Sequence, residues 1–136
     1  MGVNPSPAAD VSAIKDQLAV FAAAEPRIVA CYLFGSRARG DATAASDVDV
    51  AALFGETVAL DDLLRLEDAL ERKLGLPVDL IDLGRANAFL ALDVIRGECV
   101  YCTDEDHCDD FELYVMRRAG DLLPFERERL RLVLQP

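Results

Sequence analysis

Asp47 and Asp49 stand two residues apart where the apolar run through Phe54 begins. On an extended strand that spacing turns both side chains to one face. Two neighbouring carboxylates repel each other, and a divalent cation between them is the usual reason that they persist. Upstream, the apolar run Cys31 to Phe34 stops at Gly35-Ser36. Gly35 lets the backbone come close to a ligand, and Ser36 can open a short helix whose free N–H groups suit a phosphate. Arg37 and Arg39 add positive charge beside that turn. Carboxylates for a metal, with a Gly-Ser turn and arginines for phosphate, describe a site for a metal-bound nucleoside triphosphate.

Such a site needs two strands joined by a small-residue loop, so that the turn and the acids meet at one end of a sheet. Arg27 to Phe34 is β-branched and aromatic, apolar on both faces from Ile28, as a central covered strand would be. Asp47 to Phe54 reads as the second strand, Leu76 to Leu83 as the third and Glu98 to Cys102 as a short fourth. A helix is predicted from Val11, with Asp10 or Ser12 as cap and Ile14, Leu18 and Phe21 on one side. Another spans Leu60 to Leu74, with Leu60, Leu63, Leu64, Leu66, Leu70 and Leu74 as its apolar side and Glu67 and Glu71 on its wet side. Further helices are expected over Arg85 to Arg96, Asp104 to Leu122 and Glu126 to Leu134, the last two separated near Gly120 and Pro124. The fold class is therefore α/β (α+β): a small mixed sheet of about four strands flanked by helices. Residues 1–9, with two prolines, a glycine and an asparagine, read as a flexible arm. Residues 10–136 read as a single domain whose tail, from about 104, is helical.

With 136 residues and 52% hydrophobic content, the chain can bury a sizeable core and is not disordered. Its net charge of −11 gives no general attraction for nucleic acid, so no direct nucleic-acid binding is expected. A basic protein partner or a cationic substrate fits better, although acidity also serves solubility. No apolar stretch has the length of a membrane span, and the first ten residues lack the features of a signal peptide. A cytoplasmic protein is expected, and with it four cysteine thiols. Cys99, Cys102, His107 and Cys108 invite a zinc reading. Against it, Cys99 to Cys102 reads as a strand and His107-Cys108 as part of a helix start.

Gly35-Ser36, ten residues, then Asp47-Val48-Asp49 resembles the signature of the DNA polymerase β-like nucleotidyltransferase superfamily. The fuller form, Gly35-Ser36-Arg37-Ala38-Arg39-Gly40 followed by Ser46-Asp47-Val48-Asp49-Val50, looks like its minimal nucleotidyltransferase (MNT) branch. That branch includes the MntA-type antitoxins of HEPN/MNT toxin–antitoxin pairs. The resemblance covers roughly residues 10–103, and the tail more loosely. It implies three metal-binding carboxylates, the third on a strand beside the Asp-x-Asp strand. Asp79, between Val78 and Leu80, is the matching position. A lone charge inside an apolar strand needs a cation or a hydrogen-bond partner, and an arginine would serve as well as a metal. Asp82, an odd number of residues away, faces the opposite side.

On this resemblance Asp47, Asp49 and Asp79 are catalytic and hold two Mg²⁺ ions, with Mn²⁺ able to substitute. Gly35, Ser36, Arg37 and Arg39 bind the nucleotide, with Arg39 equally readable as a loop brace. The implied donor is ATP, and the implied acceptor is a tyrosine of a HEPN ribonuclease toxin that receives AMP. With so few residues after Cys102 no second substrate domain is expected, and a partner or a homo- or hetero-oligomer is expected to supply the acceptor surface. Two alternatives stay open: adenylylation of a small molecule such as an aminoglycoside, and a non-catalytic antitoxin that acts by contact alone. The apolar tail residues Phe111, Tyr114, Leu122 and Phe125 could be core or docking surface.

Overall fold

The computed structural model describes residues 11–43 and 46–134; the expected N-terminal arm lies outside them. The elements run α1 (Val11–Ala24), β1 (Ile28–Phe34), α2 (Gly35–Arg39), β2 (Val48–Phe54), α3 (Leu60–Leu74), β3 (Val78–Asp82), a 3₁₀ turn (Leu83–Arg85), α4 (Ala88–Ile95), β4 (Glu98–Cys102) and α5 (Glu105–Leu134). The four strands form one mixed sheet in the order β3-β2-β1-β4, with β1 antiparallel to both β2 and β4 and β2 parallel to β3. A parallel step needs a crossover, and α3 supplies it.

Nearly all of β1 and most of β2 is buried. Alternation along these strands divides the core in two. Cys31, Leu33, Val48, Val50, Val78 and Leu80 face α1 and α3, meeting Ile14, Leu18, Ala22 and Leu70. Tyr32, Phe34, Ala51 and Leu53 face the other way, toward Ala91 and Val94 of α4 and Val115 of α5. The Tyr32 hydroxyl donates to Glu112 at 2.7 Å, which ties α5 to the middle of the sheet. Burial first, and that bond second, push the phenol well above its ordinary value.

The structure departs from the sequence reading in five places. First, α3 uses a narrower stripe: Leu70 is buried and Leu63, Leu66 and Leu74 are half-buried, while Leu60 and Leu64 are exposed because the helix covers little beyond β3 and α1. Second, Glu67 and Glu71 are not wet. Their carboxylates accept the Leu80 and Val78 amides at 2.9 Å and so close the free edge of β3. Third, the expected helix over 85–96 is split. The 3₁₀ turn ends at Arg85, and α4 starts after Asn87, whose side chain accepts the Leu90 amide at 2.9 Å as an N-cap.

Fourth, α5 runs unbroken through Pro124. A helical proline deletes one N–H and crowds the carbonyl four residues back. Here that residue is Gly120, exposed and with open space where a side chain would be. Fifth, Cys102 and Cys108 form a disulfide, and the other two cysteines are free thiols, Cys31 buried and Cys99 exposed. Compartment, not geometry, argued for thiols, and the short turn from β4 into α5 brings these two sulfurs together. Burial pushes the Cys31 thiol up to about 12. Among the described residues no helix is long and apolar enough to cross a membrane.

Candidate active site at one end of the sheet

The C-terminal end of β1 and the N-terminal ends of β2, β3 and β4 meet at one edge of the molecule. There Leu33 pairs with Glu98, Phe34 with Asp49, and Asp49 with Asp79. Asp49 and Asp79 are abreast on parallel strands, so both carboxylates project to one face. Their parity matches Ala51 and Ile81, which places them on the side that α4 and α5 cover. Asp47 immediately precedes β2 and is exposed. Asp82, paired with Ala52, is used structurally: it accepts the Gly84 amide at 3.0 Å and pairs with Arg85 at 3.6 Å.

Gly35 begins α2 at φ +76°, a conformation that suits glycine. A Cβ at Gly35 would fall 2.1 Å from Oδ2 of Asp49. The turn therefore cradles the Asp49 carboxylate, and any side chain there would expel it. Partial burial raises the Asp49 pKa, and the negative charges of Asp79 and Asp47 raise it further; Arg39 offsets part of this, while Asp93 adds to it. Asp79 and Asp47 thus stand close enough to Asp49 to oppose its ionisation, and Arg39 offsets only part of that.

The two arginines of the motif diverge. Arg37 is only 1% exposed, and its Nη2 donates to the Ser46 carbonyl at 2.9 Å. Its Nε and Nη1 find no partner among the described residues. It holds the loop that delivers Asp47 and does not open toward solvent. Arg39 is exposed and pairs with Asp41 at 3.3 Å. Gly35 and Arg39 line a cleft of about 470 Å³ with Asp93, Arg96, Gly97 and Glu98. These last four were not singled out in the sequence. The available signals were one charge, Asp93, in the otherwise apolar α4 and the pair Arg96-Gly97 directly after its end.

Among the described residues no three His, Cys, Asp or Glu side chains form a ready-made metal cage. Magnesium does not require one: it is commonly held by one or two carboxylates, with waters and substrate phosphates completing the shell. Paired, under-compensated oxygen donors beside a glycine cradle fit such an ion.

The protein-family model described as "Polymerase beta, Nucleotidyltransferase" matches residues 16–106. The protein adenylyltransferase MntA of Shewanella oneidensis is 32% identical over 111 residues, covering 79% of this chain and 76% of the relative. A crystal structure of a toxin–antitoxin with AMP-PNP superposes with a TM-score of 0.79 at 24% identity, covering 89% of this chain and 98% of the other. An MNT antitoxin in complex with the tri-AMPylated Shewanella oneidensis HEPN toxin superposes at 0.75 and 21% identity, covering 92% and 99%. At those identities the two structures speak for the fold. Together with the matched model and the adenylyltransferase relative, they make this chain a member of the polymerase β nucleotidyltransferase family.

Proposed function

We propose that this protein moves AMP from ATP to a hydroxyl of a partner protein, acting as an MntA-type antitoxin on a tyrosine of a HEPN-type toxin. The observation that carries this reading is Asp49, set abreast of Asp79 on parallel strands and cradled by the Gly35 turn. The AMP-PNP complex and the AMPylated toxin of its structural neighbours support it. Residues 10–136 act as one unit in the cytoplasm. The Cys102–Cys108 bond, the Tyr32–Glu112 hydrogen bond and buried Val115 and Ala119 hold α5 to the rest.

Asp47, Asp49 and Asp79 would hold two Mg²⁺ ions, replaceable by Mn²⁺. Bound there, magnesium supplies charge neutralisation at the triphosphate and eases deprotonation of the acceptor hydroxyl. The rest falls to the chain. Gly35 and Ser36 bring backbone N–H groups to the phosphates, and Arg39 adds charge at the rim. Arg37 keeps Ser46-Asp47 in register with β2 from inside the fold. The acceptor oxygen attacks the α-phosphorus, a new P–O bond forms, and the bond to the departing pyrophosphate breaks. Orientation of the two reactants supplies most of the acceleration. The partner approaches over α5, whose Tyr114, Leu122 and Phe125 are exposed while Phe111 packs into the core. The preference for adenine rests on the family resemblance alone.

A ligand-induced thermal shift tests the site. AMP-PNP with Mg²⁺ should raise the melting temperature of the wild type. Asp47→Asn with Asp49→Asn should keep the fold and lose the shift. An undiminished shift in the double variant would place the nucleotide elsewhere.

A further inference from the structure

We propose that Arg96 is the cation that grips the outer phosphates of the bound nucleotide. This rests on the nucleotidyltransferase reading above and assigns that grip to a residue outside the sequence motif. Of the motif's own arginines, one is buried and the other shares its charge with an aspartate at the rim. Arg37 is buried and engaged with the Ser46 carbonyl, and Arg39 is paired with Asp41. Arg96 is exposed at the C-cap of α4 and makes no salt bridge among the described residues.

Gly97 fixes where Arg96 stands. A Cβ on Gly97 would fall 2.3 Å from the Leu33 carbonyl oxygen and 3.0 Å from Cα of Phe34. The turn after α4 therefore lies directly on the last residues of β1, one step before the Gly35 cradle. Arg96 and Gly35 consequently line the same cleft. Two acids share it, but Glu98 is tied to Lys15 at 2.7 Å. Asp93 stays in the cleft beside Arg96 and makes no salt bridge among the described residues. Arg96 is the cation of this cleft that has no ion pair among the described residues, and its planar fork suits phosphate oxygens.

Arg96 also lines the apolar groove between α4 and α5, with Phe89, Leu92, Ile95 and Met116. It stands where the cleft and that groove meet, so an acceptor lying along α5 would reach the nucleotide beside it. A positive charge at a helix C-terminus also has a purely structural use. That use would change stability and would not distinguish one nucleotide from another.

The distinction is measurable by calorimetric titration of the full chain with AMP-PNP and with AMP, each with Mg²⁺ at fixed ionic strength. Wild type, Arg96→Ala, Arg96→Gln and Arg96→Lys are compared, with melting curves to establish that each is folded. Loss of a charge-assisted phosphate contact should weaken AMP-PNP by about 10- to 100-fold in the Ala and Gln variants. AMP should stay within about twofold, and Lys should recover much of the loss. Unchanged AMP-PNP affinity, or an equal loss for both nucleotides, would overturn the assignment. A wild type that binds neither nucleotide would instead overturn the nucleotidyltransferase reading, and the assignment with it.

Discussion

Gly35→Ala should separate the geometry of the site from the stability of the fold. Gly35 has φ +76°, and a Cβ there would fall 2.1 Å from Oδ2 and 3.0 Å from Cγ of Asp49. The left-handed backbone costs an alanine about 1–2 kcal/mol. The steric conflict lies with a side chain, so it is relieved when the Asp49 carboxylate swings away, by about 1 Å to reach ordinary contact. A displacement of that size at a reacting centre costs about 100-fold in rate. Gly40→Ala is the matched control, since Gly40 has φ +82° and nothing within 4 Å of its Cβ position. Both variants should melt about 3–8 °C lower, at about 3–4 °C per kcal/mol for a chain of this size. Only Gly35→Ala should also lose the AMP-PNP–Mg²⁺ thermal shift and about 100-fold or more in AMP transfer. Melting curves with and without ligand, followed by transfer rates, read both quantities. Equal ligand shifts and equal rates in the two variants would refute the placement of Asp49 against the Gly35 turn.

Two further outcomes follow from charge and covalent structure. Asp49→Asn should stabilise the ligand-free protein near neutral pH, because it removes repulsion between carboxylates about one strand spacing apart. That repulsion is worth about 1 kcal/mol in a water-like dielectric and about 3 kcal/mol at an effective dielectric near 20. Asp49 is half-buried and Asp79 exposed, which favours the lower figure. The Asp49 pKa is raised in the folded state, so its stability contribution is full below the ordinary carboxylate range and is lost as pH rises through the raised value. The wild type should gain stability relative to Asp49→Asn as pH falls through that window. Nucleotide binding should weaken over the same fall, and melts across a pH series with and without AMP-PNP check both signs. Reducing the Cys102–Cys108 bond, which spans a sequence separation of only 6, should cost about 2 kcal/mol from loop entropy. The protein should stay folded and able to bind nucleotide, as a melt in dithiothreitol would read.

Much of the fold and of the acidic site was legible because strand burial and strand alternation leave a direct trace in residue type. The apolar runs ending at Phe34, starting at Val48 and enclosing Asp79 are the strands themselves. The resemblance matched Asp79 to a carboxylate on a strand beside Asp-x-Asp, and Asp79 does pair with Asp49. Other features depend on where a long side chain goes after the chain has folded. Arg37 reads as a cation for phosphate beside the Gly-Ser turn, and only the closing of the loop onto Ser46 buries it. Glu67 and Glu71 read as the wet face of a helix until the bare edge of β3 arrives to use them. Arg96 carries no local signal of function, since its position follows from Gly97 packing on β1, a contact far apart in sequence. Pro124 misled because Gly120 reads as a second breaker, whereas it is an exposed residue with open space at the turn that the proline ring crowds.

The most direct measurement is the mass of the partner. The purified chain is incubated with ATP, Mg²⁺ and the product of the gene neighbouring its own, and that product is weighed by mass spectrometry. A gain of one or more AMP units on a tyrosine is expected, with pyrophosphate released only when the partner is present. The gain should vanish with Asp47→Asn. A tight complex with no gain in mass would contradict transfer and leave an antitoxin that acts by contact alone. Transfer to an added aminoglycoside without any change in the partner would move the acceptor from protein to small molecule.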